Sequence, residues 1–429
     1  MKKLNEDFII NLSNNKGEPL WMKNFRLNSY KKFLELDNPS FGPKINIDFD
    51  NLVYHKGLFA PPSCSWENVD KKVKNTFNDL GVIEAENKYL KGVSNQYESE
   101  VIYHKMEESD GIIFLSTDEA LKKYPELFEK YFNNLVKYDE NKYTALNGAL
   151  WSGGSFIYIP PYTKVDRPLQ SYFRIDTKNL GQFERTIIIV DHDSSLHYIE
   201  GCTAKNYSTT SLHAGVVEIY VGKNSTCKYS TIQNWSKDVY NLVTKRAILE
   251  EGAYMQWVDG NIGSGVTMKY PSCILKGDNS KASSISIAYA KEGQHLDAGA
   301  KMIHLGKNTK STIISKSIAG FGGTSDYRGT VKIAKEATGS FATIKCDNII
   351  LDNISSSNTY PKNIVENNES TLEHEATISK INEEKLNYLM SLGISEDAAK
   401  DLYVLGFMSD FKKSLPMEYA VELNRLIKE

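Results

Sequence analysis

Short polar turns recur at a nearly fixed interval through the middle of this chain, and that interval constrains the fold more than any single motif does. VDHDSS, VGKNST, LEEGAY, LKGDNS, LGKNTK and AKEATG begin at Val190, Val221, Leu249, Leu275, Leu305 and Ala334. The starts fall roughly 25 to 31 residues apart, the period of units that each bury an apolar face against the next copy. Between the turns lie runs rich in Ile, Val, Thr and Tyr, such as RTIIIV, GVVEIYV, SISIAYA, KSTIISKSI and GTVKIA, which read as strands. No amphipathic helix separates them, so βαβ architectures are disfavoured. The spacing predicts a parallel β-helix, a mainly β solenoid with flanking α, over residues 148–365. A β-sandwich is the weaker alternative.

The flanks have another texture. Trp21, Phe25, Leu27, Tyr30, Phe33 and Leu34 fall at mostly helical spacings in EPLWMKNFRLNSYKKFLEL, which predicts an amphipathic helix. A second helix is expected in STDEALKKYPELFEKYFNNLV, with Ser116 as cap and Glu119 three residues on, the spacing of a capping box. With the irregular FAPPSCSW stretch between them, these define a mixed, mostly helical domain over 1–147. Residues 366–429 turn helical again. Asn382 can cap NEEKLNYLMSL and Gly393 end it, Ser395 starts SEDAAKDLYVLGFMSDFKK, and Pro416 suits the first turn of PMEYAVELNRLIK. Helices placed after a solenoid can cap its open end or present a docking face.

Charge and cysteine usage narrow the setting. Lys plus Arg number 51 against 54 Asp plus Glu, a net charge of −3, which gives no electrostatic reason to expect nucleic acid or an anionic membrane as partner. Five scattered cysteines (Cys64, Cys202, Cys227, Cys273, Cys346) form no CxxC pair, so a disulfide framework is not expected and a reducing compartment fits better. No run is apolar and long enough for a signal peptide or a membrane span. A soluble, cytoplasmic protein is expected.

Taken singly, the chemistry-bearing residues are ambiguous. A cysteine within a strand is usually a small buried hydrophobe, and His213 and His304 sit in strand-like surroundings as core histidines often do. GSGV at 263–266 and GFGG at 320–323 lack the strand-then-helix setting of a phosphate loop. Glu373, His374 and Glu375 are three metal-competent groups in succession. In a strand the two glutamates would share one face and His374 would point to the other, so a regular strand cannot aim all three at one ion. Two readings stay open: a solvated edge, or one wall of a metal site.

The combination is more specific. GQFERTIIIVDHDSSLHYIEGCTA, LHAGVVEIYVGKNSTCKYSTIQNW, VTKRAILEEGA, DAGAKMIHLGKNTKSTIISKSI, KCDNIIL and LEHEATISKI, together with GEPLWMKNFRLNSYKKFLEL and TALNGALWSGGSFIYIP, closely resemble the SufB family, scaffold subunits of the SUF iron–sulfur cluster assembly machinery. The resemblance covers nearly the whole chain. It implies a right-handed parallel β-helix between helical regions, and a scaffold that accepts sulfur as persulfide, collects iron and builds a transient iron–sulfur cluster without being an enzyme itself. It implies an ATPase partner, SufC, docked on GISEDAAKDLYVLGF and its neighbours. Further implied partners are a SufD-like paralogue or a second copy of the chain, and a cysteine desulfurase or sulfur carrier. Reduced flavin is a candidate cofactor of the complex.

Residue by residue, the resemblance places the sulfur acceptor at Cys202 of YIEGC and the sulfur-transfer interior at Gln233, Trp235 and Lys245. It places the assembly thiol at Cys346 of KCDN, with Glu375, Glu373 and His374 as candidate ligands for the nascent cluster and its iron. A persulfide acceptor reacts as thiolate, so Cys202 is expected near cationic or hydrogen-bonding groups, Lys245 among them. One thiolate with carboxylate and imidazole ligates a cluster more weakly than four thiolates would, which suits a scaffold that must release it. The chain departs from relatives at SSSNTYP, where Ser355 and Asn358 stand in the places of a further cysteine and histidine. A SufD-like subunit holding no cluster is the main alternative, but it would need neither thiol nor triplet. A carbohydrate-active β-helix enzyme would carry a secretion signal and a row of catalytic carboxylates, and neither is seen.

Overall fold

The structure is a computed structural model that describes residues 4–57, 59–107, 111–205 and 210–409. Its centre is a parallel β-solenoid of about eight coils. Each coil gives one strand to each of two facing sheets. In the first sheet Leu169–Ile175, Ser195–Ala204, Thr226–Asn234, Tyr254–Asn261, Lys281–Ala290, Lys310–Ala319, Phe341–Ile350 and Thr371–Lys380 stack in order, all parallel. The second sheet runs from Ser155–Ile159 through Arg185–Val190, Val216–Val221, Val239–Leu249 and His295–His304 to Thr324–Ile333 and Ser356–Val365.

Burial on both faces explains why strands such as RTIIIV read as unbroken apolar runs. Ile188 and Val190 point into the solenoid with Leu196, Tyr198 and Ile219, whereas Ile187 and Ile189 point outward onto Phe128, Phe132 and Trp151. The outer face of the first sheet is covered likewise. Ile199, Ile232, Val258, Ile287, Ile318 and Ile349 belong to one buried cluster with Phe77 of the N-terminal part and Val404 and Met408 of the tail.

The turns repeat because each needs a residue in left-handed conformation. Asp193, Asn224, Asn279 and Asn308 take φ of 54 to 60°, and Gly252 and Gly339 take 65 and 69° at equivalent corners. Asn and Asp tolerate that region and Gly is unhindered there. A Cβ on Gly339 would lie 2.4 Å from Oδ1 of Asn308, whose side chain at the preceding corner fills that space.

The N-terminal part is built largely of helices, and the stretch expected to be irregular at its centre is itself ordered. Helices Glu6–Lys16 and Leu20–Glu35 come first, the former ended by Gly17 at φ 65°. Within the stretch expected to be irregular, Lys71–Asp79 and Val82–Tyr89 are helices and Gly92–Tyr97 is a strand pairing in parallel with Leu169–Ile175. Ser116 does cap Thr117–Lys123, accepting from the Glu119 N–H at 3.2 Å, but Pro125 starts a separate helix, Pro125–Tyr131. This part is tied to the solenoid at Arg185, whose Nη2 donates to the Val136 carbonyl at 3.2 Å and to Glu218 Oε2 of the neighbouring coil at 2.8 Å. Glu218 also accepts from the N–H groups of Asn133, Leu135 and Val136.

At the other end the first sheet continues through Lys380, and helices Glu383–Ser391 and Glu396–Phe407 follow, capped by Asn382 and Ser395. Lys316 Nζ donates to the Phe407 carbonyl at 2.7 Å, a cation placed where a helix C-terminus attracts one. The helix expected from Pro416 lies outside the described residues.

His304 is a satisfied core residue: its two ring nitrogens each sit 2.8 Å from a hydroxyl, those of Thr309 and Ser311. Burial pulls its pKa down to about 4. Below an unfolded pKa near 6.5 the unfolded chain binds a proton that the folded chain refuses, so stability is full above that pH and is lost as pH falls toward 4. His304→Gln should flatten that loss by on the order of 2 kcal/mol at pH 5. Urea midpoints of the two proteins at pH 5 and 7.5 check this, and equal pH dependence would contradict it.

Candidate functional site

Strand alternation sends Tyr198, Glu200 and Cys202 into the solenoid from one strand, and Tyr229, Thr231 and Gln233 from the next. Cys202 sits in register with Phe173 on one side and Gln233 on the other. It is 1% exposed among Phe173, Ile175, Leu180, Trp235 and Val239. Its Sγ donates to Glu200 Oε1 at 3.8 Å.

Glu200 is the hub. Lys245 Nζ donates to its Oε1 at 2.9 Å, Thr231 Oγ1 does so at 3.4 Å, and the Tyr229 hydroxyl donates to Oε2. Burial would raise the Glu200 pKa, but Lys245 and the Tyr229 hydrogen bond outweigh it and hold the carboxyl below its usual range. The same burial works against the Lys245 ammonium, and Glu200 and Asp259 overcome it. Cys202 fares differently from the sequence expectation. Burial, then Glu200 and Glu184, push its thiol well above the ordinary value, and Lys245 and Lys269 do not reverse that. Lys245 is spent on neutralising Glu200, so in this conformation Cys202 is a protonated thiol.

The other expected interior residues gather beside it. Asn241 Nδ2 donates to Gln233 Oε1 at 2.5 Å, and His213 Nδ1 lies 2.8 Å from Asn241 Oδ1. His213 Nε2 is 2.8 Å from Glu184 Oε2, close enough for an ion pair but without hydrogen-bond alignment. Burial lowers the His213 pKa, and Glu184 and Asn241 more than offset it, leaving the imidazole raised. Trp235 packs its ring 4.7 Å from that of His213, and among the described residues its Nε1 has no partner.

Glu184, His213 and Glu200 were not picked out as site residues from the sequence, nor was the Asp259–Lys269 pair that lies further along the interior. A signal was present: Glu200 shares parity with Tyr198 and Cys202, and Asp259 with Met255 and Trp257. A charge on the inward face of an apolar strand must be paired or functional.

Cys346 lies near the other end of the solenoid. Along the first sheet Cys202, Gln233, Asn261, Ala288, Ser317 and Asn348 occupy successive coils. Five steps therefore separate the coil of Cys202 from that of Cys346, roughly 24 Å at about 4.8 Å per step. Cys346 is fully buried with Tyr327, Ile344 and Ile313, and burial pushes its thiol up to about 12.

The triplet lies on the last strand, in register with 343–345 rather than with Cys346, which faces Ala376. His374 has the inward parity, with Nδ1 3.1 Å from Asn363 Nδ2 and Nε2 buried without a partner. Glu373 and Glu375 share the exposed outer face, where Glu375 reaches Lys345 at 3.8 Å. His374 and Cys346 are thus on one side of the sheet and the two glutamates on the other. Among the described residues no three metal-competent groups converge as a site. Ser355 and Asn358 serve the backbone and its neighbours, Ser355 accepting from the Gly322 N–H and Asn358 donating to Asp326.

Of the other cysteines, Cys227 and Cys273 are core residues, Cys273 accepting from Trp257 Nε1 at 3.1 Å, while Cys64 is exposed. Among the described residues no helix is long and apolar enough to cross a membrane.

Family comparison agrees with this architecture. Residues 173–407 match the family model described as SUF system FeS cluster assembly, SufBD core domain, and residues 68–171 match the SufBD protein N-terminal region. The chain is 53% identical to the iron–sulfur cluster assembly protein SufB of Bacillus subtilis, with 99% of this chain and 92% of that protein covered. It is 54% identical, at the same coverage, to iron–sulfur cluster assembly SufBD family proteins of Staphylococcus saprophyticus and Staphylococcus aureus. Matched along nearly its whole length, with a parallel solenoid carrying a buried thiol toward each end, the chain belongs to the SufBD family.

Proposed function

We propose that this protein is the cytoplasmic scaffold on which an iron–sulfur cluster is built: Cys202 accepts sulfur as persulfide, and Cys346 holds the growing cluster, which is cargo rather than a resident cofactor. The observation that carries this reading is the pairing of two interior thiols with a continuous row of buried polar groups between them. Gln233, Trp235 and Lys245 lie at the Cys202 end of that row. A purely structural subunit has no use for such a row, because each buried polar atom left unpaired costs about 1–3 kcal/mol.

The protonated state of Cys202 sets what must happen first. Among the described residues its proton has an acceptor at hand in Glu200 Oε1, and Glu200 is held ready by Lys245. Opening of the coil around Cys202 would admit the donor, a desulfurase or sulfur carrier, and rehydration would lower the thiol pKa. An ATPase working through the C-terminal helices supplies the lever. Tyr388, Leu392 and Leu402 on these helices are 65, 61 and 47% exposed, an apolar surface suited to a partner of the SufC class. At the assembly end Tyr360, Val365 and Ile378 are 43, 41 and 52% exposed on the last coil. A SufD-like subunit or a second copy seated there would close over the last coil and bring further ligands toward Cys346. On this reading His374 approaches the cluster from inside, and Glu375 or Glu373 joins only if the last strand rotates or its edge opens.

The test separates acceptance from assembly. Cys202→Ala should take up no sulfur from a persulfide donor, read as the loss of one added sulfur by intact mass, while still binding the ATPase. Normal loading of that variant would refute the role given to Cys202.

A further inference from the structure

Beyond Lys245 the interior holds a second buried ion pair, and its bonding differs. Lys245 is well occupied: Glu200 Oε1 and the Tyr229 hydroxyl accept from it, and it lies 4.4 Å over the Tyr229 ring. Lys269 Nζ donates to Asp259 Oδ1 at 2.9 Å, and both side chains are at most 2% exposed. An ammonium has three N–H groups, and Asp259 is the acceptor the described residues offer this one. Asp259 Oδ2 is buried with no partner.

The pair stands at a particular place. Glu200, Thr231, Asp259, Ser286, Ser315 and Cys346 follow one another in register, coil by coil. Asp259 is therefore two steps beyond Glu200 and three short of Cys346. Past it the lining changes from charged to small and hydroxylic: among the described residues the buried Oγ atoms of Ser284 and Ser317 have no partner, and Ser315 lies beside the Tyr327 hydroxyl. Donors with no acceptor in a dry interior are costly unless an anion or water uses them.

We propose that Lys269, positioned by Asp259, is a binding site for a small sulfur anion of the hydrosulfide class, partway between Cys202 and Cys346. The proposal rests on the scaffold reading above. Thiols roughly 24 Å apart cannot exchange sulfur directly, so sulfur has to leave Cys202. A Cys202 persulfide anion that takes up two electrons and one proton gives the Cys202 thiolate and hydrosulfide, the sulfur–sulfur bond breaking. The reductant is of the dihydroflavin class. The anion is then held by the spare N–H groups of Lys269, and the serine hydroxyls and Tyr327 donate to it on the way to Cys346.

Lys269→Met alone would strand the Asp259 charge in the interior, so the informative variant removes both charges: Asp259→Asn with Lys269→Met. The native complex, the double variant and Cys202→Ala are each given a persulfide donor, ferrous iron and reduced flavin, and cluster absorbance is followed. In parallel each is reconstituted with free sulfide. The double variant should load sulfur on Cys202 normally and reconstitute from free sulfide normally. Its persulfide-driven cluster yield should fall roughly tenfold, the equivalent of one lost charge-assisted contact. A persulfide-driven yield within about twofold of native overturns the site, as does an equal loss with free sulfide, which would mean general damage. If native yield proves independent of Cys202, the scaffold reading has failed and the anion site falls with it.

Discussion

Lys245→Met should destabilise the folded chain by about 3–5 kcal/mol, because it leaves the Glu200 carboxylate buried without its cation. Lys245 and Glu200 are each 1% exposed and 2.9 Å apart, so solvent cannot take over the lost role. The remaining donors to Glu200, the hydroxyls of Tyr229 and Thr231, are neutral. Without Lys245, burial dominates and Glu200 should become protonated near neutral pH. Replacing the partner as well, Glu200→Gln with Lys245→Met, removes the stranded charge and should recover most of the stability. Urea unfolding of the two single variants and the double variant measures this. A fully additive double variant would contradict the coupling, and a Lys245→Met variant as stable as native would contradict the burial argument. The functional corollary is that Glu200, once protonated, can no longer accept the Cys202 proton. The stable double variant should then be slow to load sulfur although it folds.

The periodic turns made the solenoid legible, because each coil needs a left-handed corner and the chain supplies Asp193, Asn224, Gly252, Asn279, Asn308 and Gly339 at those corners. Alternation within a strand also foresaw the split of the triplet, with His374 opposite Glu373 and Glu375. What the sequence hid was long-range. Gly92–Tyr97 joins the first sheet through pairing with Leu169–Ile175, a partner more than seventy residues away with no local signature. The state of Cys202 was hidden for a related reason. YIEGC displays an acid next to the thiol, but which cation neutralises that acid is decided by Lys245 across the interior. Its charge was expected to help the thiol and instead serves Glu200. Lys269 and Asp259 lie on different strands ten residues apart, and their pairing follows from coil closure alone.

Cluster building is assigned to the Cys346 end of the solenoid. Cys346 is a fully buried thiol whose pKa stands near 12, and iron has to displace its proton to gain a ligand. Its loss should therefore remove the one thiolate available at that end among the described residues, whereas the carboxylates and His374 remain. The most direct measurement is anaerobic reconstitution with ferrous iron and sulfide, read by visible absorption, for the native chain and Cys346→Ala within the same complex. Native protein should develop sulfide-to-iron charge-transfer bands and Cys346→Ala should stay near baseline. Equal cluster uptake by the two would show that the cluster is built elsewhere.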